Sequence, residues 1–336
     1  MKLEVKNGTI NVEASKSLLF RGFDFMNSLM ICNTLYKKIL KGGLKGNIHS
    51  VFNSSFNVLD QNHQLVSFLN SKKPMSPNSI KIDNDISFLS LGIEPKLELQ
   101  FFQSFALIEG LNIKITYDKV NFWDKNPVLT FTKDSKENVF RKLRIMSKLL
   151  IENGKTEGIL PLLSTLQGKI KGLDLFLNSK TNLNKREKFI KERFLKFLDN
   201  YIREDIDNLS LYAKDIVGFG RGLTPAMDDF LCGIMVSRIY LSSYLDHDME
   251  RNYKVNRAIV EMIKNKTTIV SEEMLNYSSL GETNEDIRRL MLSFLGEDPF
   301  YYFVKNVKNV VKIGETSGTD ILSGIYIGSS ILLKWI

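Results

Sequence analysis

The spacing of apolar and polar residues changes part-way along this 336-residue chain. In the first third, short runs alternate between apolar and polar residues and end at turn residues, which is typical of half-buried strands. From about Lys133, apolar residues recur every three or four positions, which is typical of amphipathic helices. We therefore predict an α+β fold, with a β-rich N-terminal domain over residues 1–132 and a larger, mainly α-helical domain over residues 133–336.

The strand signals of the first domain gather around turn residues. Asn7-Gly8 favours a hairpin turn because both residues tolerate the positive φ that such turns need. Pro74 and Pro77 indicate a loop. The predicted strand regions are two hairpins, over residues 3–14 and over residues 47–70 with its turn at 60–62, and two further strands, over residues 79–83 and 111–120.

The helix signals of the second domain are longer. Residues 137–154 are amphipathic and end in Asn153-Gly154, a common helix stop. Residues 225–245 are apolar on nearly every side, which predicts a central, buried helix. The other predicted helices are a long amphipathic one over residues 185–204 and shorter ones around Ile259, Ile287, Val307 and Ile325.

Composition narrows the class of protein. Apolar residues make up 43% of the chain and charged residues 25%, the proportions of a soluble globular protein. The net charge of +8 favours anionic ligands, but no basic run is interleaved with aromatic residues, so we expect no nucleic-acid binding. Cys32 and Cys232 form no CxxC pair, which fits a reducing cytoplasm. Neither the N-terminal residues nor Ile321–Ile336 resembles a signal peptide or a membrane span, so we expect a cytoplasmic protein without membrane contact.

Residues 218–233, GFGRGLTPAMDDFLCG, have the most unusual composition in the chain. One interpretation is a helix start. Thr224 suits the N-cap and Pro225 suits the first helical position. Asp228 and Asp229 would then face the positive end of the helix dipole. A helix start alone does not require the glycines at alternate positions before it, which are Gly218, Gly220 and Gly222.

The second interpretation of this loop is a ligand site. Alternate glycines let successive backbone N–H groups, including those of Leu223 and Thr224, point at one anion beside a helix N-terminus. Arg221 would add a fixed positive charge. Because two aspartates would repel a lone anion, Asp228 and Asp229 favour a divalent cation beside it or a ligand with N–H donors, such as an amide or carbamoyl group. No Walker or dinucleotide motif is present, and both interpretations stay open.

A second loop, Gly314–Asp320, resembles the first, because a Gly-x-Thr turn again leads into a helix with an acid in its first turn. Ser317 as the N-cap, with Asp320 three residues later, would form a variant of the capping box. As part of a ligand site, this loop would have to lie beside the first one. The candidate contacts in it are Thr316, Ser317, Gly318 and Asp320.

Other polar residues are weaker candidates. Ser271 is expected to cap a helix that has two glutamates in its first turn, with Thr267 and Thr268 as further polar contacts. His49 lies in a predicted strand and is a candidate for proton transfer or binding together with Ser50. The competing interpretation of His49 is a half-buried strand histidine with a structural role. No order of Ser, His and Asp, or of Cys and His, favours covalent catalysis.

Four stretches of the chain, in the expected order, resemble the bacterial AllH family. Residues 218–233 are similar to the family signature GxGxGLTPxGDDxLxG. Residues 46–57 are similar to its His-Ser-Val-Phe strand motif and residues 266–285 to its Thr-rich helical segment. Residues 314–325 are similar to its C-terminal Gly-x-Thr-Ser-Gly-x-Asp motif. The resemblance therefore covers most of the chain.

The resemblance implies an enzyme subunit. AllH is a subunit of an oxamate carbamoyltransferase, which acts with FdrA and a third protein in anaerobic allantoin breakdown. Such a complex cleaves oxalurate, which is carbamoyl-oxamate, with phosphate and releases oxamate and carbamoyl phosphate. The alternatives are a non-catalytic or small-anion-binding subunit of such a complex and a freestanding hydrolase of ureides or amides.

The resemblance also fits the residue types of the first loop. We expect the N–H groups of Gly220–Thr224, assisted by Arg221, to bind phosphate or a carboxylate. Asp228 or Asp229 would accept a hydrogen bond from the carbamoyl NH2 group or help to hold a divalent cation, and no other cofactor is indicated. Met227 stands where the family has glycine. This either narrows the site or, if that glycine only relaxes the first helical turn, changes little.

Overall fold

The computed structural model describes residues 24–166 and 183–333. They form two compact units, which divide between Trp123 and Asp124. The first unit is built from strands and the second mainly from helices, as the α+β prediction expected. The division falls a short way before the boundary predicted at residues 132 and 133. The hairpin predicted around Asn7-Gly8 lies outside the described residues.

The described part of the N-terminal unit is a barrel of short strands. Its elements are β1 (Asp24–Cys32), α1 (Asn33–Leu40), β2 (Lys45–Val51), β3 (Ser55–Asp60), β4 (Leu65–Leu69), β5 (Ser79–Ile82), β6 (Glu98–Phe101), β7 (Phe105–Ile108), β8 (Ile113–Thr116) and β9 (Asn121–Trp123). Eight strands close in the order β5-β4-β3-β2-β6-β7-β8-β1, because β1 pairs back to β5. β1 runs parallel to β8 over its first half and parallel to β9 over its last residues.

Strand alternation places the apolar core inside this barrel. In β6, β7 and β8 every second residue is buried, as expected for a sheet with one covered face. Aromatic rings fill the core, with Phe56 stacked on Phe68 at 4.5 Å between ring centroids and Phe88 edge-on to Phe56 at 5.0 Å. These contacts are favourable pairings of aromatic rings.

The predictions for this unit hold in part. Strands β5 and β8 and the loop between β4 and β5 form where they were expected. Residues 47–70 form three strands instead of one hairpin. The expected turn follows Asp60, which accepts the backbone N–H of His63, but a second tight turn, closed by Phe52 N–H and Ser55 O at 2.8 Å, separates β2 from β3. The sequence Asn53-Ser54 carries no glycine or proline, so this turn was missed.

The helical unit contains the predicted helices and two that were not predicted, over residues 160–163 and 206–214. They are α2 (Lys136–Asn153), α3 (Leu160–Leu163), α4 (Lys185–Arg203), α5 (Ile206–Lys214), α6 (Ala226–Tyr244), α7 (Met249–Val260), α8 (Ile269–Ser279), α9 (Glu285–Leu295), α10 (Phe300–Val311) and α11 (Ser317–Leu332). Every residue of α6 except Ser243 is buried, which confirms the central helix that its all-round apolar pattern predicted. Among the residues described, no helix combines the length and apolar character needed to cross a bilayer.

Helices α6 and α11 lie side by side and run in the same direction, in contact through glycine. A Cβ on Gly233 of α6 would lie 2.8 Å from the Ile325 nitrogen and 3.0 Å from the Gly324 Cα of α11. A Cβ on Gly324 would lie equally close to the backbone of α6. Only glycine permits backbones to approach this closely. The crossing therefore brings together the starts of both helices, about two turns before these glycines.

Candidate functional site

The two loops singled out in the sequence converge. The hydroxyl groups of Thr224, before α6, and Ser317, at the start of α11, form a hydrogen bond of 3.1 Å. These residues are 93 positions apart in the chain. The first loop, residues 218–224, and the second loop, residues 314–318, thus form one surface at the N-terminal ends of two buried, parallel helices.

Three predicted helix caps are wrong. Pro225 and Thr316 occupy the N-cap positions of α6 and α11, and neither side chain caps its helix. Thr224 and Ser317 do not act as caps because their hydroxyl groups bond each other. Helix α8 is capped by Thr268, whose Oγ1 accepts the N–H of Ser271, so Ser271 itself is free for another contact.

The glycines of the first loop serve close packing and an unusual backbone. Gly218, Gly220 and Gly222 all have positive φ. A Cβ on Gly220 would collide with the backbone nitrogen of Ala226 at the start of α6, so the loop lies directly on the helix end. The carbonyl of Phe219 closes this contact by accepting the N–H of Met227 at 2.9 Å. Gly222, with φ of 85°, has open space around it and needs glycine for its backbone alone.

A row of backbone N–H groups in this loop is unpaired. The amides of residues 220–224 donate no hydrogen bond to any described residue. The Gly218 amide, by contrast, donates to Asp228 Oδ1 at 2.7 Å and so does not belong to the row. Thr268 Oγ1 donates to the carbonyl of Leu223, which fixes that peptide plane and turns the Thr224 N–H to the opposite side. Residues 220–222 are exposed and Leu223 and Thr224 half-buried, so an anion can reach these donors.

Asp228 holds the first loop and α8 together. Its side chain is fully buried. Oδ1 accepts the Gly218 N–H, and Oδ2 accepts the hydroxyl groups of Thr267 and of Ser271, the latter at 2.6 Å. Burial raises the pKa of Asp228, and these hydrogen bonds oppose that rise. With its acceptors occupied by protein donors, Asp228 positions the loop.

Asp229, the next residue, is placed very differently. It is 1% exposed, and neither carboxyl oxygen has a hydrogen-bond partner of normal geometry among the described residues. Burial raises its pKa well above the usual range, and the carboxyl groups of Asp320 and Asp228 add to the rise. The hydroxyls of Ser317 and Thr224 act in the opposite direction. Asp229 is therefore a buried acid, beneath the joined loops, with free hydrogen-bonding capacity.

Asp320 of α11 is the third buried acid of this site. Its Oδ1 accepts the Ile159 N–H at 2.7 Å, whereas its Oδ2 has no partner among the described residues. A Cβ on Gly158 would lie 2.6 Å from Oδ2, so the segment before α3 closes tightly over the carboxyl group. Burial raises the pKa of Asp320 to about 7, against the effect of the Ile159 and Thr316 hydrogen bonds.

The remaining predicted residues of the helical unit lie around these acids. Arg221 is exposed and forms no ion pair with a described residue, so its charge is available to a ligand. Gly318 contacts the end of α10 and donates its N–H to the carbonyl of Ile313 at 2.9 Å. Met227 is fully buried as part of the apolar core of the unit.

Comparison with known families identifies the chain. The family model described as oxamate carbamoyltransferase subunit AllH matches residues 216–329, and the AllH family N-terminal domain model matches residues 27–121. The chain belongs to the AllH family. It is thus a subunit of the oxamate carbamoyltransferase, which acts in oxalurate phosphorolysis. No solved structure matches the chain.

The two candidate functional residues that lie in a strand, His49 and Ser50, belong to the AllH-type N-terminal domain. His49 lies at a β-bulge in β2, since the register with β3 shifts between Ile48 and Ser50. The ring is half-buried, and its Nδ1 has no partner among the described residues. Ser50 Oγ accepts a hydrogen bond of 3.0 Å from Asn57 of β3. Bulges often redirect a side chain near functional sites, so His49 stays a candidate contact of this domain.

Some site residues were missed from the sequence. Gly158 and Ile159 lie outside both ranges matched by the AllH models, yet they surround the carboxyl group of Asp320. The only local signal was the pair of glycines, Gly154 and Gly158, after the end of α2. Among residues 24–166 and 183–333, no group of three or more His, Cys, Asp and Glu side chains is arranged to hold a metal ion.

Proposed function

We propose that the surface formed by the two loops is where this AllH subunit holds the reactants of oxalurate phosphorolysis. The amides of Gly220–Thr224 bind an anionic group, either phosphate or the carboxylate of oxalurate. Asp229 meets the carbamoyl group that is transferred. The observation that carries the proposal is the adjacency of an unpaired row of N–H donors and a fully buried carboxyl group that has no hydrogen-bond partner of normal geometry.

The chemistry of carbamoyl transfer suits such a surface. Attack of a phosphate oxygen on the carbamoyl carbon passes through a tetrahedral species with a negatively charged oxygen. Fixed N–H donors stabilise that charge, and removal of one such donor costs about 3 kcal/mol in well-studied enzymes. The reaction needs the two reactants held in contact and does not require a nucleophile from the protein. Backbone donors are already fixed in this loop, by Asp228 at one end and Thr268 at the other.

Arg221 supplies the charge of the anion site. It is exposed at the tip of the loop, without an ion pair to a described residue, and its guanidinium group can approach a phosphate with two parallel N–H donors. The net charge of +8 on the whole chain also favours the approach of two anionic reactants. Thr316 and Ser317 would contact the same ligand from the second loop.

The wider assignment rests on the family. We propose that the other subunits are an FdrA-like protein and a third carbamoyltransferase protein, and that the complex serves allantoin and purine breakdown in the cytoplasm. Both cysteines of the chain, Cys32 and Cys232, are buried and free, which is common in reducing compartments. A divalent cation near Asp228 or Asp229 is the alternative proposal, which would compete with the carbamoyl group for the same oxygens and would require an ionised Asp229.

The test is phosphorolysis of oxalurate by the complex assembled from purified subunits, with carbamoyl phosphate as the product measured. Arg221→Ala should raise the KM for phosphate about tenfold, as expected for loss of a charge-assisted contact worth about 1.5 kcal/mol. Gly222→Ala should act similarly, because it strains the loop without touching another atom. The matched control is Arg203→Ala, which removes an exposed arginine from the end of α4.

Three outcomes would contradict the proposal. Unchanged phosphate KM in both loop variants would mean that the loop has only a structural role. Equal loss in Arg203→Ala would mean that the effect comes from net charge. Cleavage of oxalurate by the isolated chain without phosphate would indicate a hydrolase.

A further inference from the structure

We propose that Asp229 works as a neutral carboxylic acid, which pairs with the carbamoyl group at two points and donates its proton as a hydrogen bond to the oxygen that becomes negative. This inference rests on the proposed function, since it assigns a role to one residue of the same site. Asp320 is a positioning residue, whose negative charge keeps Asp229 protonated. Neither role follows from the family description, which names a subunit and a reaction.

The first observation is that Asp229 lacks hydrogen bonds of normal geometry to the described residues. An ionised carboxylate is buried only with compensating hydrogen bonds or a cation, because its desolvation is costly. Its neighbour Asp228 has three such donors, from Gly218, Thr267 and Ser271. Asp229 is buried equally well but has none of normal geometry among the described residues, and no Lys or Arg of the described chain forms an ion pair with it.

The second observation is the set of groups that face Asp229. The titratable groups that act on it are Asp228 from its own helix, α6, and Asp320 from α11, and Cys232 of α6 lies close enough to be affected by it. None of them is a cation. The remaining polar neighbours are the hydroxyls of Thr224 and Ser317, which bond each other. Burial raises the pKa of Asp229 well above its usual range, and the carboxyl group of Asp320 raises it further.

Asp320 is held so that it can carry the charge of the pair. The Ile159 N–H donates to its Oδ1 at 2.7 Å, and Gly158 packs against the carboxyl group. A hydrogen bond from a backbone amide favours the ionised form. Two carboxyl groups that share a buried site do not both ionise near neutral pH, so the group that accepts a backbone hydrogen bond takes the charge and the other keeps its proton.

A neutral acid matches the carbamoyl group, whereas a carboxylate does not. The carbamoyl group offers N–H donors and a carbonyl acceptor on the same carbon atom. A protonated carboxyl group offers the complementary acceptor and O–H donor, but an ionised one has only acceptors. The N–H of the ligand would donate to the Asp229 carbonyl oxygen, and the Asp229 O–H would donate to the ligand carbonyl. The second bond strengthens as that oxygen becomes negative, so it favours the transition state over the bound substrate.

The transfer balances without a proton from Asp229. A P–O oxygen of hydrogen phosphate forms a bond to the carbamoyl carbon, and the bond from that carbon to the oxamate nitrogen breaks. Phosphate loses one proton and the leaving nitrogen gains one. The nitrogen therefore departs as the neutral amide of oxamate. The O–H of Asp229 stabilises the intermediate oxygen and is restored when the carbonyl re-forms.

Two substitutions of nearly the same size separate the neutral form from the ionised form. Asp229→Asn keeps an acceptor and a donor on adjacent atoms but cannot ionise, whereas Asp229→Leu removes both. In the assembled complex, Asp229→Asn should retain the KM for oxalurate and lose about 10- to 100-fold in kcat, because an amide is a weaker donor. Asp229→Leu should lose at least about 1,000-fold in kcat/KM. Wild-type activity should fall at alkaline pH as Asp229 ionises, and Asp229→Asn should lack that fall.

The outcomes distinguish this inference from the proposed function. If both variants are equally inactive, the ionised carboxylate is required and the inference fails, while the site stays where it was proposed. If Asp229→Leu behaves like the wild type, the site itself is wrong. A second measurement uses the isolated chain: at pH 8 its infrared spectrum should contain a C=O band from a protonated carboxyl group that Asp229→Asn lacks. Identical spectra in that region would overturn the inference even if a variant assembles poorly.

Asp320→Asn tests the positioning role. Without the charge on α11, the pKa of Asp229 should fall, so the alkaline loss of activity should begin at lower pH. A purely structural role of Asp320 would change the rate without moving the pH–activity profile. An unmoved profile would overturn this part of the inference.

Discussion

Replacing Asp320 by asparagine should make the stability of the helical unit less dependent on pH. Asp320 is completely buried, and its Oδ1 accepts the Ile159 N–H. Asparagine keeps this acceptor and nearly the same volume, so the packing against Gly158 is preserved. The change therefore removes the ionisation of residue 320 and little else.

The magnitude follows from the pKa of Asp320, which burial raises from its ordinary value of 3.8 to about 7. At pH values below 3.8, the carboxyl group of Asp320 is protonated in both the folded and the unfolded chain, and its contribution to stability is fully present. Between the two values the folded chain keeps a proton that the unfolded chain loses, so stability falls as pH rises. The loss is complete above about pH 7 and amounts to about 4 kcal/mol, from about three pKa units at about 1.4 kcal/mol each.

The assay is urea unfolding of the wild type and of Asp320→Asn at pH 5 and pH 8, followed by the helical circular dichroism signal. Between pH 5 and pH 8 the wild type should lose a few kcal/mol of unfolding free energy that the variant keeps. Asp207→Asn, which removes an exposed acid from the first turn of α5, is the matched control and should show no such shift. An equal difference at both pH values would refute the assignment of a buried, ionising carboxyl group to this position.

Three further changes have expected results. Gly233→Ala should lower the unfolding free energy by about 1–3 kcal/mol, because its Cβ would collide with a backbone oxygen of α11. Gly328→Ala should cost less, because its closest contact would be the movable Ser237 hydroxyl and the nearest backbone atom would lie 3.3 Å away; thermal unfolding checks both. Thr268→Val removes the cap of α8 and the contact to the first loop, so it should cost about 1 kcal/mol and also weaken phosphate binding, measured by calorimetry. Lys142→Met leaves Asp134 without its buried partner and should cost about 3 kcal/mol or more by urea unfolding, with unchanged phosphate binding.

The elements that follow from local pattern were predictable. The all-round apolar character of α6 and the amphipathic spacing of α2 identified both helices. The closure of the barrel was not predictable, because it depends on β1 pairing with β5 and β8, which lie far along the chain. No local feature of those short strands encodes their partners.

The candidate site was chosen from the sequence, but the contacts within it could not be predicted. The glycines and the adjacent aspartates marked the loop on which the proposed site rests. Asp228 and Asp229 looked equivalent, and the difference between them arises from donors 39 and 43 residues further on, in Thr267 and Ser271. Thr224 was taken as a cap because its competing partner, Ser317, is equally remote. Long-range contacts thus decided which candidate has free hydrogen-bonding capacity.

The most direct test of the central claim is a crystal structure of the assembled carbamoyltransferase with oxamate and phosphate bound. The account predicts an anion oxygen within about 3 Å of at least two of the amides of Gly220–Thr224, with the other reactant against Asp229. Both ligands bound on another subunit, with this loop empty, would contradict it.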